Sequence, residues 1–326
     1  MAAAPFAGYE VDEALRPSAR QAGFDLEARL ASVVALEAQV SPAAWSAKTL
    51  GTQRIGNAVV IDEAGLMLTI GYLITEADEV VVTSNAGDRI EAYPLGVDQA
   101  TGLGLLHALE PLGLPAAPIG DSRILPAGTA VISAGGGGRA HALCARIAAR
   151  APFPGYWEYY LDEALFVEPG HPHWSGAALF DPAGEVVGVG SLQMEQLAPG
   201  GEVRPINMFV PAELLMPIRD SLTRGRPARP PRPWLGVLAQ EIESHVVVVG
   251  VSPGGPASRA ELRRGDIVHR LAGERVSDLA GFYQRLWSLG APGVVARLRI
   301  QRERDVFDVE IRTADRTALQ RRRRLN

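Results

Sequence analysis

The chain has 326 residues and a mass of 34.7 kDa, enough for two or three compact units rather than one core. Hydrophobic residues make up 47% and charged residues 21%, the balance of a globular protein rather than a disordered one. A net charge of −5 offers no broad attraction to nucleic acid or to an anionic membrane, so neither is expected as a partner.

The basic residues are arginines except Lys48, which reads as coding bias. Cys144 is the only cysteine; an internal disulfide is excluded, and a reducing compartment fits. Residues 1–10 lack the basic and apolar regions of a secretory signal, and no run of residues is apolar for long enough to cross a bilayer. The expected location is therefore cytoplasmic, with the periplasm as the alternative where a leader has been removed.

In chain order, residues 1–31 form an extension. Leu15, Phe24, Leu26 and Leu30 within it predict a short amphipathic helix over 11–30. From Ser32 onward, short β-rich runs alternate with Gly, Pro, Asp and Asn. Strands are predicted at 57–61, 66–70, 79–83, 89–96, 129–133 and 185–191, a spacing that suggests a sandwich or barrel. Turns fall between them at Asp62-Glu-Ala-Gly65, Asn85-Ala-Gly87 and Asp181-Pro-Ala-Gly184. Gly135-Gly-Gly-Gly138 reads as a flexible connector between barrels; it lacks the Lys-Ser/Thr of a phosphate loop. Residues 224–233 carry four prolines and four arginines and read as an extended linker. A unit over 234–313 follows, with strands at 235–239, 245–251, 297–301 and 306–311 and an amphipathic helix over 279–289. Residues 314–326 form a basic tail; its run Arg321–Arg324 is expected to be disordered by self-repulsion.

Gly56-Asn-Ala-Val-Val-Ile-Asp62, Gly65-Leu-Met-Leu-Thr-Ile-Gly-Tyr72, Leu95-Gly-Val-Asp98, Thr101-Gly-Leu-Gly-Leu-Leu106 and Pro118-Ile-Gly-Asp-Ser122 follow one another in order. Together these segments resemble the HtrA/Deg family of trypsin-like serine proteases. Trp174-Ser-Gly-Ala-Ala-Leu179 is similar to the family's nucleophile loop. Pro233-Trp-Leu-Gly-Val237, Ser252-Pro-Gly-Gly-Pro-Ala257 and Leu262-Arg-Arg-Gly-Asp-Ile-Val268 are similar to its PDZ domain. The resemblance implies a mainly β chain: a trypsin-like double β-barrel over 32–223, then a PDZ domain, itself a small α+β unit. It also implies a homo-oligomer, since family members commonly form trimers through their barrels.

Carried across residue by residue, the family's serine falls on Ser175, its histidine on Tyr72 and its carboxylate on Gly102. A trypsin-like mechanism needs a nucleophile, a base, a carboxylate to orient the base, and backbone N–H groups facing the oxyanion. A phenol with a pKa near about 10 is a poor base at neutral pH, and Gly102 supplies no charge. The family glycine two residues before the serine falls on His173, whose Cβ restricts the backbone of the oxyanion hole, and the residue between falls on Trp174. The triad is therefore degenerate, and a pseudoprotease is expected. His173 or His171 is the alternative base, with Asp162 or Glu163 to orient it. The plainer view makes His171 and His173 partly exposed residues of an altered loop, Ser175 a relic at a tight turn, and Trp174 a cleft filler. A His-x-His pair without a third ligand spells out no metal site, and no cofactor is expected. His107, His141, His245 and His269 are scattered and read as surface or strand residues.

By resemblance, Trp234, Leu235, Gly236 and Val237 form a loop that captures a terminal carboxylate through backbone N–H groups, with Arg285 or Arg263 as candidate nearby charges. The expected function is binding of polypeptides or peptide C-termini, as scaffold or chaperone-like partner. A serine endopeptidase using Ser175 with a non-standard base, and an inactive subunit assembling with an active homologue, are the alternatives.

Overall fold

A computed structural model describes residues 6, 8–197 and 200–320. The run Arg321–Arg324 lies outside the described residues. Contacts divide the chain into two compact units. The first holds Met1–Ala151 and Glu163–Ala228; the second holds Pro152–Asp162 and Arg229–Arg321. The range 32–223 expected as barrel is thus interrupted, because residues 152–162 group with the C-terminal unit. Each unit is described by itself.

The first unit contains two closed six-stranded barrels. One runs in the order β1-β2-β3-β6-β5-β4, built from Val33–Val40 (β1), Gln53–Val60 (β2), Leu66–Ile70 (β3), Ala77–Thr83 (β4), Arg89–Val97 (β5) and Leu103–Ala108 (β6). The other runs β10-β11-β12-β9-β8-β7, from Ala130–Ala134 (β7), Ala142–Gly155 (β8), Tyr159–Glu168 (β9), Ala178–Phe180 (β10), Val186–Leu197 (β11) and Val203–Pro211 (β12). Closure removes free sheet edges. All five residues of β3 are buried, which explains why four of them are apolar where a one-sided sheet strand would alternate; the fifth, Thr69, donates its hydroxyl to the Asn57 carbonyl (2.6 Å). Leu125, Val131, Ile147, Leu165, Leu179 and Phe209 belong to the core cluster of the second barrel.

The expected single helix over 11–30 is three short helical pieces, Glu13–Leu15, Ala19–Ala22 and Leu26–Ala31. Pro17 separates the first two, and Gly23, at φ +75°, ends the second. Ser18 caps the middle piece through a reciprocal capping box with Gln21. Residues 135–138 are not a flexible connector between barrels. They follow β7 within the second barrel, where Gly136 N–H donates to Asn57 Oδ1 (2.8 Å) and Gly137 N–H to Asn85 Oδ1 (2.7 Å).

The second unit contains a two-stranded ribbon of Pro233–Trp234 (β13) with Ala314–Asp315 (β20), and a larger sheet. The larger sheet orders Val237–Ile242 (β14), His245–Val251 (β15), Ile267–Leu271 (β16), Val295–Arg302 (β18) and Asp305–Arg312 (β19), with Glu274–Arg275 (β17) paired to β16. Ala296, Leu298 and Ile300 of β18 point into the core while Arg297 and Arg299 pair outward with Glu310 and Asp308, the period-2 pattern of a sheet buried on one face. The helix Leu279–Ser288 is capped by Asp278, whose side chain accepts from Gly281 N–H (2.6 Å). It buries Phe282, Tyr283 and Leu286 in that core. No helix among the described residues is long and apolar enough to cross a membrane.

Candidate functional site

Ser175 lies in the loop between β9 and β10, and Tyr72 in the single helical turn Gly71–Ile74 that follows β3. Arg54, buried, fixes that turn by donating from one nitrogen to the carbonyls of Tyr72 and Thr75 (both 2.7 Å). The Tyr72 hydroxyl sits 2.8 Å from Ser175 Oγ and donates to the Ser191 carbonyl (2.9 Å). A phenol has one proton and a carbonyl only accepts, so Ser175 donates and Tyr72 accepts. Burial pushes the Tyr72 phenol up to about 12, against a smaller pull from its hydrogen bond with Ser175. At neutral pH the group facing the serine is therefore a neutral phenol with no capacity to take its proton.

Gly102 is brought beside Tyr72 by its backbone: its carbonyl accepts from Gly71 N–H (2.7 Å), and its φ is +78°. It places no charge there.

His171 is fully buried, not partly exposed as the plainer sequence view had it. Its N–H donates to Asn207 Oδ1 (2.5 Å); its ring Nε2 lies 3.0 Å from the His141 carbonyl, and its Nδ1 accepts from His173 N–H (3.0 Å). A carbonyl at one nitrogen and an N–H at the other fix the neutral tautomer protonated on Nε2. Burial, reinforced by the neighbouring histidines, drives its pKa down to about 4. Its ring does not reach Ser175, and Glu163 pairs with Arg150 (2.8 Å) instead of orienting an imidazole. His173 has its ring 4.3 Å from Phe6 and 4.7 Å from Tyr9 by centroid, and burial lowers its pKa. His141, expected as an isolated residue, belongs to this cluster, 6.3 Å from the His173 ring.

The backbone of this loop bears on the oxyanion hole. In a trypsin-like site the N–H two residues before the serine points at the developing oxyanion. Here the equivalent His173 N–H is turned onto His171 Nδ1. Asn57, fully buried on β2, holds the loop in place: its Nδ2 donates to the carbonyls of His173 and Ser175 (2.9 Å each), while its backbone N–H also donates to Ser175 O (2.8 Å). In the sequence Asn57 opens the predicted strand 57–61 and carries no sign of this role. A cavity of about 610 Å³ opens at the loop, with Ile55, Tyr72, Leu73, His173, Trp174 and Ser175 in its wall.

In the second unit, Leu235, Gly236 and Val237 present their backbone N–H groups to one point. Gly236 has φ +80°, and a Cβ there would stand 3.0 Å from the Trp234 ring, so the turn requires glycine. The three N–H groups converge on the carboxylate of Glu158: Leu235 donates to Oε2 (3.0 Å), Gly236 and Val237 to Oε1 (2.6 and 2.9 Å). Glu158 is buried, and burial pushes its pKa up to about 7 against the opposing pull of those N–H groups and of Arg316. The cation near the loop is thus Arg316. Of the two arginines expected there, Arg285 pairs loosely with Glu274 (3.7 Å), while Arg263 donates its backbone N–H to Asp266 (2.8 Å). Neither Glu158 nor Arg316 carried a sequence signal.

Among known families, residues 56–189 match the trypsin-like peptidase domain and residues 233–313 the PDZ domain. A probable periplasmic serine endoprotease DegP-like from Halomonas elongata is 26% identical over 277 residues, covering 80% of this chain and 56% of its own length. The putative serine protease HhoA of Synechocystis is 28% identical over 254 residues, 68% of this chain and 61% of its own, and serine endoprotease DegS of Escherichia coli is 26% identical over 236 residues, 67% and 65%. The chain spans little more than half the length of the DegP-like relatives. Among solved structures, the HtrA-type protease AlgW with decapeptide aligns over 92% of this chain and 99% of its own at a TM-score of 0.54 and 20% identity, a likeness of fold.

Proposed function

From a chain built as a trypsin-like peptidase domain followed by a PDZ domain, the HtrA/DegP type, we propose a polypeptide-binding protein whose protease-type centre is silent. The observation that carries this reading is the partner of Ser175. Its hydroxyl donates to a phenol that is itself tied to the Ser191 carbonyl and held neutral by burial. A serine without a base is a weak nucleophile, and the turned His173 N–H removes one of the donors on which residual catalysis rests. Peptide binding needs no such machinery. The PDZ domain supports it through the converging N–H groups of Leu235, Gly236 and Val237.

The names of the relatives favour a second reading, a serine endopeptidase in which Ser175 acts with a base other than Tyr72. They also favour the periplasm over the cytoplasm expected from the sequence. The catalytic readings separate by intact-mass detection of fluorophosphonate labelling, with Ser175→Ala alongside. We expect no adduct on protein shown folded by thermal unfolding. An adduct on the unchanged chain that is missing from Ser175→Ala establishes an activated serine and overturns the silent centre.

A further inference from the structure

The carboxylate loop of the PDZ unit already holds a ligand, and the ligand belongs to the same chain. Residues 152–162 form the tip of the β8–β9 hairpin and group with the C-terminal unit. At the tip, Tyr156 presents its carbonyl to the N–H of Ala239 on β14 (2.8 Å). Two residues on, Glu158 seats its side-chain carboxylate on the N–H groups of Leu235, Gly236 and Val237. Its own N–H reaches the hydroxyl of Tyr283 on the helix Leu279–Ser288 (3.3 Å). The tip therefore bridges from strand to helix, along the groove where an added peptide strand would lie.

The stereochemistry fits this role. A C-terminal peptide ends at its carboxylate, whereas a hairpin has to turn and leave. Glu158 adopts φ +58°, a left-handed conformation uncommon for a residue with a side chain. It lets the backbone turn away into β9 while the carboxylate stays on the loop. Trp157 stacks on Tyr159 (centroids 5.3 Å, 14° between planes) and meets Tyr156 edge-on at 5.0 Å, which stiffens the tip.

We infer that the hairpin tip is an internal ligand that closes the PDZ groove, with the Glu158 carboxylate in the place of a peptide's terminal carboxylate, so that an incoming C-terminus binds only by displacing it. This rests on the peptide-binding reading given above, and it assigns that site its regulation. When only a fraction of molecules has an open groove, the apparent affinity falls by that fraction.

The docked carboxylate faces Tyr283, whose phenol burial raises, and Arg316, a half-buried cation whose own pKa desolvation lowers. Because burial raises the docked carboxylate above its ordinary range, docking takes up a proton: the docked tip is favoured at low pH and weakens as pH rises through about 7. Oε2 accepts a single N–H, which leaves it room for that proton.

Backbone amide exchange on the full chain tests the inference. Glu158→Ala is expected to speed exchange at Leu235, Gly236 and Val237 by about tenfold or more. Glu158→Gln keeps the shape but turns an NH₂ toward either the Leu235 N–H or the Gly236–Val237 pair, so it speeds exchange at least at one of them; it decides the matter should the alanine variant unfold. In the unchanged chain, protection at the three amides is expected to fall between about pH 6 and about pH 8 beyond the intrinsic rate change, and in Glu158→Gln it is not. Unaltered protection in both variants overturns the internal ligand.

A second probe is a resin of decapeptides with randomised last positions, in free-acid and amide forms. Glu158→Ala should retain free-acid peptides about tenfold more strongly than the unchanged chain. Faster exchange with no peptide retained by any form keeps the internal ligand and removes the peptide-binding reading. Equal retention of free-acid peptides by both forms shows the groove open in the unchanged chain and overturns the closure.

Discussion

Two places in this molecule are shaped to receive an oxygen anion on backbone N–H groups, and they differ in what has happened to the donors. At the nucleophile loop the His173 N–H donates to a neutral imidazole of the same loop, and the serine hydroxyl is spent on a phenol. At the PDZ loop all three donors still converge, and a glutamate from residues 152–162 fills them. On the reading proposed above, the first receptor is dismantled from within, while the second is whole and occupied. Reviving the first would then require new side chains and a different backbone hydrogen bond. Opening the second requires only that one carboxylate leave.

The largest effect on this comparison comes from removing what dismantles the first receptor. His171→Ala leaves the His173 N–H, the His141 carbonyl and a vacated volume buried together, and should destabilise the N-terminal unit by about 3 kcal/mol, read from denaturant midpoints. The same residue gives this unit an acid sensitivity. Its pKa is about 4 in the fold against an ordinary value near about 6.5. A lowered pKa means stability that is complete above the ordinary value and lost as pH falls toward the folded one, here about 3 kcal/mol between roughly pH 6.5 and pH 4. His171→Ala should flatten that slope. An unchanged slope would show that the imidazole is not locked neutral.

The next effect tests the second receptor. Gly236→Val forces a β-branched residue into φ +80° and against the Trp234 ring. We expect about 2 kcal/mol of destabilisation in the C-terminal unit and loss of protection at the loop amides. A variant as stable and as protected as the unchanged chain would mean that the loop does not depend on its left-handed turn.

Much of this architecture was legible because local chemistry dictates it. Asp62 and Gly65 mark a turn whether or not the barrel closes around them: the Asp62 carboxylate accepts from Leu66 N–H (2.9 Å). The alternation of β18 follows from a sheet with one buried face. Tyr72 and Gly102 could be proposed for the family's histidine and carboxylate positions because the resemblance runs through a long ordered stretch. What escaped depends on partners far along the chain. Asn57 pins a loop 118 residues away, and Glu158 meets its donors 77 to 79 residues on. A side-chain carboxylate standing for a terminal one has no spacing or composition to betray it. The glycines at 135–138 misled for a related reason: a run that looks free in sequence is held by Asn57 and Asn85, from β2 and the β4–β5 turn.

The smallest expected effect is none at all, and it sharpens the comparison most. Tyr72→His with Gly102→Asp puts a base and a carboxylate back at the family positions. Neither site relies on its present side chain for its backbone hydrogen bonds: the turn at Tyr72 is held through main-chain carbonyls by Arg54, and Gly102 bonds Gly71 through its own carbonyl, although its φ of +78° strains any side chain placed there. Aspartate tolerates a left-handed φ better than most residues. Turnover of an unfolded protein such as reduced casein should nonetheless stay at the level of a matched Ser175→Ala variant, because the His173 N–H remains on His171 and the oxyanion lacks that donor. Turnover restored by the two substitutions alone would show that the loop turns freely toward substrate. The first receptor would then be closed rather than dismantled, the same condition as the second.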